Sequence, residues 1–293
     1  MITQVRNVTA ACALVASLGT LAACAGPEET GSTRAPLPAP SASAASPLSS
    51  VSPGARPPTL APGPQGLTPV FEHGSRSGDR AVALTFDADM TAGQGVRAKR
   101  GERFDNPGLI GALRELKVPA TVFMTGRWAE EYPGQARAIG RDPQFEVGNH
   151  SYSHYAFTDD CYDLPTLDEK RMRGDVERAY TAFQKVGVRD VMPYFRFPGG
   201  CYDRRALKAL APVGVTAVQW DVVSGDAFAT NARAVAQGVL DGVRAGSVVV
   251  LHCTLSAAPT TERVIRRIVP ALRDKGFRFV KVSELIGAAG GRG

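Results

Sequence analysis

Two aspartates, Asp87 and Asp89, stand two apart in the stretch LTFDADM (84–90), directly after the apolar run AVALTF. In an extended chain, side chains at i and i+2 point to the same side. Two carboxylates there share a site and repel each other unless a cation or a catalytic water lies between them, or unless the strand has already ended and both are solvated. A second stretch, GNHSYSHYAF, carries His150 and His154 four apart. On a helical turn that spacing puts both imidazoles on one face, a good bite for a divalent metal. The chain has only four histidines, and His150, His154 and His252 all follow apolar runs, while His73 precedes the first of them. Adding one aspartate from 84–90 gives an Asp-His-His set with positions left open for water, which is the ligation of a catalytic rather than a structural metal. Zn2+ is the first expectation. The same ligands accept Co2+, Ni2+ or Mn2+.

These residues need elements to position them. Periodicity predicts strands at 81–86, 120–125, 145–149, 194–198, 216–222, 247–253 and 277–282. Helical patterns lie between them: one opens at Pro107 with Asn106 as N-cap and Leu109, Ile110, Leu113 and Leu116 on one face. Others cover 128–141, 167–186, 204–211, 231–244 and 261–275. Seven strands alternating with six helices predict an α/β domain with parallel strands, either a barrel or an open doubly wound sheet. Asp87 and Asp89 then follow strand one, His150 and His154 strand three, Arg196 and Pro198 strand four, Asp221 and Asp226 strand five, and His252 ends strand six. All are expected at the carboxyl ends of strands, where both architectures place their sites.

In order along the chain stand TFD-x-D (85–89), HSYSH (150–154), FRFPGG (195–200), WDVVSGD (220–226) and LHC (251–253). Together, over 80–285, they resemble the polysaccharide deacetylases, the NodB homology domain of carbohydrate esterase family 4. The resemblance implies a distorted (β/α)7 barrel and a metal-dependent hydrolysis of acetyl groups. It implies a carboxylate base (Asp87 when matched from TFD), metal ligands Asp89, His150 and His154, and Arg196 orienting the base. It further implies an oxyanion site at the Gly199 backbone and His252 as the acid that protonates the leaving amine, with Asp226, or failing that Asp221, keeping it charged.

The match departs from the family at Ala88, which separates two aspartates that are usually adjacent. Three readings stay open: Asp87 as base with Asp89 on the metal, the reverse, or a site that keeps the shape without the chemistry. Val223, Ala227 and Gly199 also stand where the family pattern has an aspartate, a tryptophan and an aromatic, which implies a wider sugar groove. Trp128 and Trp220 are expected in the core. The implied activity is N-deacetylation of peptidoglycan or a chitin-like N-acetylglucosamine polymer. The alternatives are an O-acetyl esterase on xylan or wall polysaccharide and an inactive glycan-binding relative.

The amino terminus sets the expected location. Residues 1–23 carry an early Arg6 and the apolar run ACALVASLGTLAA, the shape of a signal peptide, and Leu21-Ala22-Ala23-Cys24 resembles the bacterial lipoprotein box, with Cys24 the lipidated residue. Residues 24–66 are dominated by Pro, Ala, Ser and Gly and are expected to be a disordered tether reaching on the order of 100 Å at about 3.3 Å per residue. The catalytic domain is expected over 67–293. An exported monomer results, lipid-anchored on the outer face of the cytoplasmic membrane or secreted, with cell-wall glycan as its partner. Although the net charge is +6, the basic residues are scattered through segments such as DEKRMRGDVER, so nucleic-acid binding is not inferred. Of the cysteines, Cys161 and Cys201 fall in predicted loops and are the expected disulfide in an oxidising compartment.

Overall fold

The structure, a computed structural model, describes residues 56–290. The expected signal peptide, Cys24 and most of the expected tether lie outside the described residues. In chain order the described elements are β1 (Val70–Phe71), β2 (Ala81–Ala88), α1 (Gln94–Lys99), α2 (Pro107–Glu115), β3 (Ala120–Met124), α3 (Gly126–Glu131), α4 (Pro133–Gly140) and β4 (Phe145–Asn149). There follow α5 (Glu169–Val186), β5 (Val191–Phe195), α6 (Arg204–Leu210), β6 (Thr216–Val218), β7 (Val222–Val223), α7 (Ala232–Gly242), β8 (Ser247–His252), α8 (Thr261–Asp274), β9 (Arg278–Val280) and α9 (Val282–Gly290).

The strands form one sheet in the order β1-β6-β5-β4-β3-β2-β8-β7, with β9 also paired to β2. All of the pairings between these strands are parallel. The sheet curls into the half-barrel expected of a distorted (β/α)7 fold. Its central strand shows why the sequence reads as an unbroken apolar run: every residue of β2 is buried, because both faces are covered. Val82, Leu84, Phe86 and Ala88 pack outward with Leu109, Ile110 and Leu113 of α2 and Val264, Ile265 and Ile268 of α8. Ala81 and Ala83 belong instead to a second cluster with Phe71, Tyr194, Val248 and Val280. Odd-numbered positions of β2 therefore face the inside of the curl, and Asp87 is one of them.

Several expectations are corrected. The helix predicted over 128–141 is two, α3 and α4, because Pro133 has no N–H to continue the ladder and the chain breaks at Tyr132. The strand predicted over 216–222 is also two. β6 pairs with β1 and β5, whereas β7 pairs with β8 at the other end of the sheet, so residues 219–221 carry the chain across the gap that the curl leaves open. β1, α1 and α9 were not expected. Asn106, by contrast, caps α2 as expected, its Oδ1 accepting from Leu109 N at 3.0 Å.

The last part of the expected tether is held against the domain: Tyr194 Oη donates to Pro58 O at 2.7 Å, Leu60 N donates to Thr216 Oγ1 at 3.1 Å, and Leu60 packs on the second cluster. Cys161 and Cys201 are joined, as expected, with their Cα atoms 6.0 Å apart. Cys253 is a free, buried thiol whose pKa burial pushes up to about 12.

Candidate active site

Strand parity puts the two aspartates together. Ala88 turns outward and is fully buried among core side chains, so Asp87 before it and Asp89 after it project toward the same side. Asp87 is also the register partner of His252 on the neighbouring β8, which sets those two side chains next to each other.

The loop after β4 brings the histidines. It is not a helical turn, which corrects the expected geometry of the His150 and His154 pair. Ser151 and His154 both take positive φ, 68° and 56°, and fold the loop back on itself. Buried polar groups hold it. Asn149 donates Nδ2 to Val176 O and accepts from Ser151 N, and Ser151 Oγ accepts from His154 N at 3.0 Å. From α5, Asp175 Oδ2 accepts from the backbone N–H of both Tyr152 and Ser153. The two imidazole rings end 4.9 Å apart, edge to face.

Arg196, just past β5, is fully buried and tied down on several sides. Its Nε donates to Val218 O at 3.0 Å, Nη2 donates to Gln219 O at 3.3 Å, and the guanidinium lies 4.1 Å from the centre of the Phe123 ring. The remaining nitrogen, Nη1, donates to Asp87 Oδ1 at 2.8 Å. Burial alone raises the Asp87 pKa, but the charges of Arg196, His150 and His252 and the Arg196 hydrogen bond outweigh it and hold the carboxyl below the usual range. Asp89 is likewise held low: burial opposes its charge, and His154, His252 and a hydrogen bond from Thr254 Oγ1 to Oδ1 more than offset that.

His252 is arranged as an acid. Its Nδ1 shares a proton with Asp226 Oδ1 at 2.8 Å, and Asp226, fully buried, also accepts from Ser224 Oγ, Thr261 Oγ1 and His252 N. Burial disfavours the imidazolium, yet the bond and charge of Asp226, with Asp87 and Asp89, push the His252 pKa up to about 9. Its side chain remains 26% exposed, so the proton can reach a substrate. Gly199 follows in the turn after Arg196 with φ 64°.

The donor set fits a divalent cation. His150 Nδ1 lies 2.8 Å from the carbonyl oxygen of Arg196, which can only accept, so Nδ1 donates there and Nε2 is the ring nitrogen turned toward the aspartates. That nitrogen faces Asp87 Oδ2 at 3.7 Å, and His154 Nε2 faces Asp89 Oδ2 at 3.5 Å. Burial, opposed by Asp89, lowers the His154 pKa to about 4, so His154 is neutral at neutral pH. The unprotonated His154 nitrogen against the ionised Asp89 carboxylate is a repulsive arrangement that a cation relieves. Among the described residues, no three His, Cys, Asp or Glu side chains already converge into a formed centre.

One expected neighbour lies elsewhere. Asp221 is bound to Arg76, Ser247 Oγ and Val248 N at the amino end of β8, the opposite end from His252, so Asp226 alone partners the histidine. His73 bridges Ser247 at that same end. Trp128 is core as expected, its Nε1 donating to Phe104 O at 2.6 Å, while Trp220 is only partly buried, packed on Gly200 and near Arg196. Thr254 and Thr261, which hold Asp89 and Asp226, were missed. Thr254 was readable by parity, two residues beyond His252, whereas Thr261 comes from the start of α8 and left no signal.

The polysaccharide deacetylase family model matches residues 74–218, a span that takes in Asp87, Asp89, His150, His154, Arg196 and Gly199. A chitooligosaccharide deacetylase of Bradyrhizobium sp. (strain ANU 289) is 26% identical over 224 residues, 73% of this chain and 94% of its own. A peptidoglycan-N-acetylglucosamine deacetylase of Bacillus cereus is 27% identical over 212 residues, 71% of this chain and 89% of its own. The crystal structure of a peptidoglycan N-acetylglucosamine deacetylase superposes with a TM-score of 0.62 at 24% identity, covering 74% of this chain and 92% of the other, a likeness of fold.

Proposed function

We propose that the protein, whose residues 74–218 match the polysaccharide deacetylase family model, is a divalent-metal-dependent N-deacetylase of an N-acetylglucosamine glycan, peptidoglycan before chitin-like polymers. The relatives named above act on such glycans. The observation that carries the reading is the register pairing of Asp87 with His252, which sets an ionised carboxylate beside a protonated imidazole at neutral pH.

Asp89, His150 and His154 would hold the metal, with Zn2+ the leading ion and Co2+, Ni2+ or Mn2+ accepted by the same donors. When bound, such an ion supplies Lewis acidity at the acetyl carbonyl and a lowered pKa for water. The roles of the two aspartates follow from their partners. Asp87 is already committed at Oδ1 to Arg196, which fixes its orientation and leaves Oδ2 to take the proton of the attacking water. Asp89 accepts its side-chain hydrogen bond from the neutral Thr254 hydroxyl and has no arginine committed to it among the described residues, which suits a ligand. Gly199 would offer its backbone N–H to the oxyanion. His252 gives its proton to the departing nitrogen, which leaves as a neutral amine, and Asp226 keeps that acid charged. Water and acetamide are consumed, and acetate and amine are formed.

The Cys161–Cys201 disulfide supports an exported protein. Together with the lipoprotein box at Cys24 it supports anchoring at the outer face of the cytoplasmic membrane, from which the wall is the first glycan met.

Bound metal and acetate release, measured on N-acetylglucosamine oligomers, peptidoglycan and acetylated xylan, test the reading. Asp89→Asn is expected to lose both metal and activity. Asp87→Asn and His252→Ala are expected to keep metal and lose turnover by about 100-fold or more. Metal loss in Asp87→Asn alone would reverse the two roles. Release from xylan only would make the protein an esterase, and release from none a glycan-binding relative.

A further inference from the structure

We propose that Tyr162 and Phe228 are aromatic platforms on which the sugar rings of the substrate stack, an inference that rests on the deacetylase reading above. Among the described residues, these are the large hydrophobic side chains that stand more than four-fifths exposed, at 81% and 83%. Folding gains nothing from presenting them to water. Both also adopt left-handed backbone, with φ 51° and 59°, and Asp163 beside Tyr162 follows at 57°. A residue bearing a Cβ takes that conformation at a cost, so the loops hold these rings outward against both solvation and local preference.

Both rings stand where the site is built. Cys161, the residue before Tyr162, is tied to Cys201, and this brings the Tyr162 loop against Gly199. A Cβ placed on Gly199 would lie 2.5 Å from Cys161 Sγ and 3.2 Å from Tyr162 Cδ2. Residue 199 can carry no side chain of its own there, and the space beside it is filled by the tyrosine. Gly199 lies three residues past Arg196, whose carbonyl orients His150 and whose guanidinium holds Asp87. On the other side, Phe228 lies two residues past Asp226, and Ala229 N closes the intervening turn onto Asp226 O. One ring is thus tied by the disulfide to the turn that follows Arg196, and the other stands on the loop that carries Asp226. A pyranose ring has an apolar face of C–H groups, and the electron-rich face of an aromatic ring complements it. The substrate class this implies is an oligosaccharide rather than a small acetyl compound, with sugars beside the reacting one seated on the platforms.

The test uses the full chain with Zn2+ supplied, comparing an N-acetylglucosamine tetramer with a small aryl acetate. Tyr162→Ala and Phe228→Ala are each expected to raise KM for the tetramer about five- to tenfold with kcat within about twofold, and to leave aryl acetate hydrolysis unchanged. Tyr162→Phe and Phe228→Tyr are expected to behave as wild type. An unchanged KM in both alanine variants, or an equal loss on tetramer and aryl acetate, would overturn the proposal. If the wild type releases no acetate from either, the deacetylase reading falls and calorimetric titration with the tetramer decides the platforms. Weaker binding by the alanine variants then supports them, and equal or undetectable binding by all forms overturns them.

Discussion

At the scale of single residues, the site is a problem of charge placed in a dry environment. Asp226 accepts four hydrogen bonds and stays ionised, and the imidazolium of His252 is the compensating charge. Since the folded pKa of His252, about 9, lies above its ordinary 6.5, the charged form is favoured by folding. This contribution to stability is full below about pH 6.5 and is lost as the pH rises through about 9. The same titration removes the proposed proton donor. In metal-free protein, the His252 ring resonances are expected to titrate near pH 9, and Asp226→Asn is expected to move that midpoint to 6.5 or below and to carry the alkaline limb of activity with it. A midpoint in Asp226→Asn unchanged from wild type would show that another group sets the charge. Residue types made Asp87, His150, His154, Arg196, His252 and Asp226 legible in the sequence, since charged groups at the ends of apolar runs have few structural reasons to be there. Asp221 has the same credentials on paper and serves a different purpose, because nothing local to it reveals that β7 starts at the amino end of β8 and not beside β6.

Among the elements, the strand and the loop that carry the ligands were not equally readable. Period two holds through β2, so the insertion of Ala88 could be followed as parity alone: it turns one methyl outward and returns the next carboxylate inward. The loop after β4 allows no such inference. His150 and His154 are four apart, as in a helix, but Ser151 and His154 take left-handed backbone although neither is glycine. What sustains those angles comes from α5, more than twenty residues further on, where Asp175 receives two backbone amides of the loop. Asp175→Ala leaves both without that partner and is expected to cost about 1–3 kcal/mol and to weaken metal binding about 10- to 100-fold, measured by urea unfolding and competition with a chelator. An unchanged metal affinity would mean that the loop is held by Asn149 and Ser151 alone. The predicted helices followed their patterns except where Pro133 divides one into two, a break the proline itself announced, while α1 and α9 were missed.

On the scale of the whole molecule, parallel α/β architecture was legible from alternation, while its closure was not. The strand-like run TAVQWDV, 216–222, gave no sign that its two halves belong to opposite ends of one sheet, because periodicity reports burial and not partners. The disulfide closes a loop of 40 residues that contains all of α5 and β5, and the chain-entropy relation for that length gives about 4 kcal/mol. The double variant Cys161→Ser/Cys201→Ser is expected to unfold at correspondingly lower denaturant and to raise KM for oligosaccharide as the Tyr162 loop loosens. Wild-type stability in that variant would show that the bridge constrains little. The two ends of the sheet carry one more consequence. β1 and β7 are each two residues long, so the outermost ladders expose almost no row of unpaired amides and carbonyls. A second chain adding a strand would find too little edge to grip. A domain built on parallel strands, a topology that forms slowly and exposes its edges while doing so, is thereby protected from edge-to-edge aggregation at high concentration.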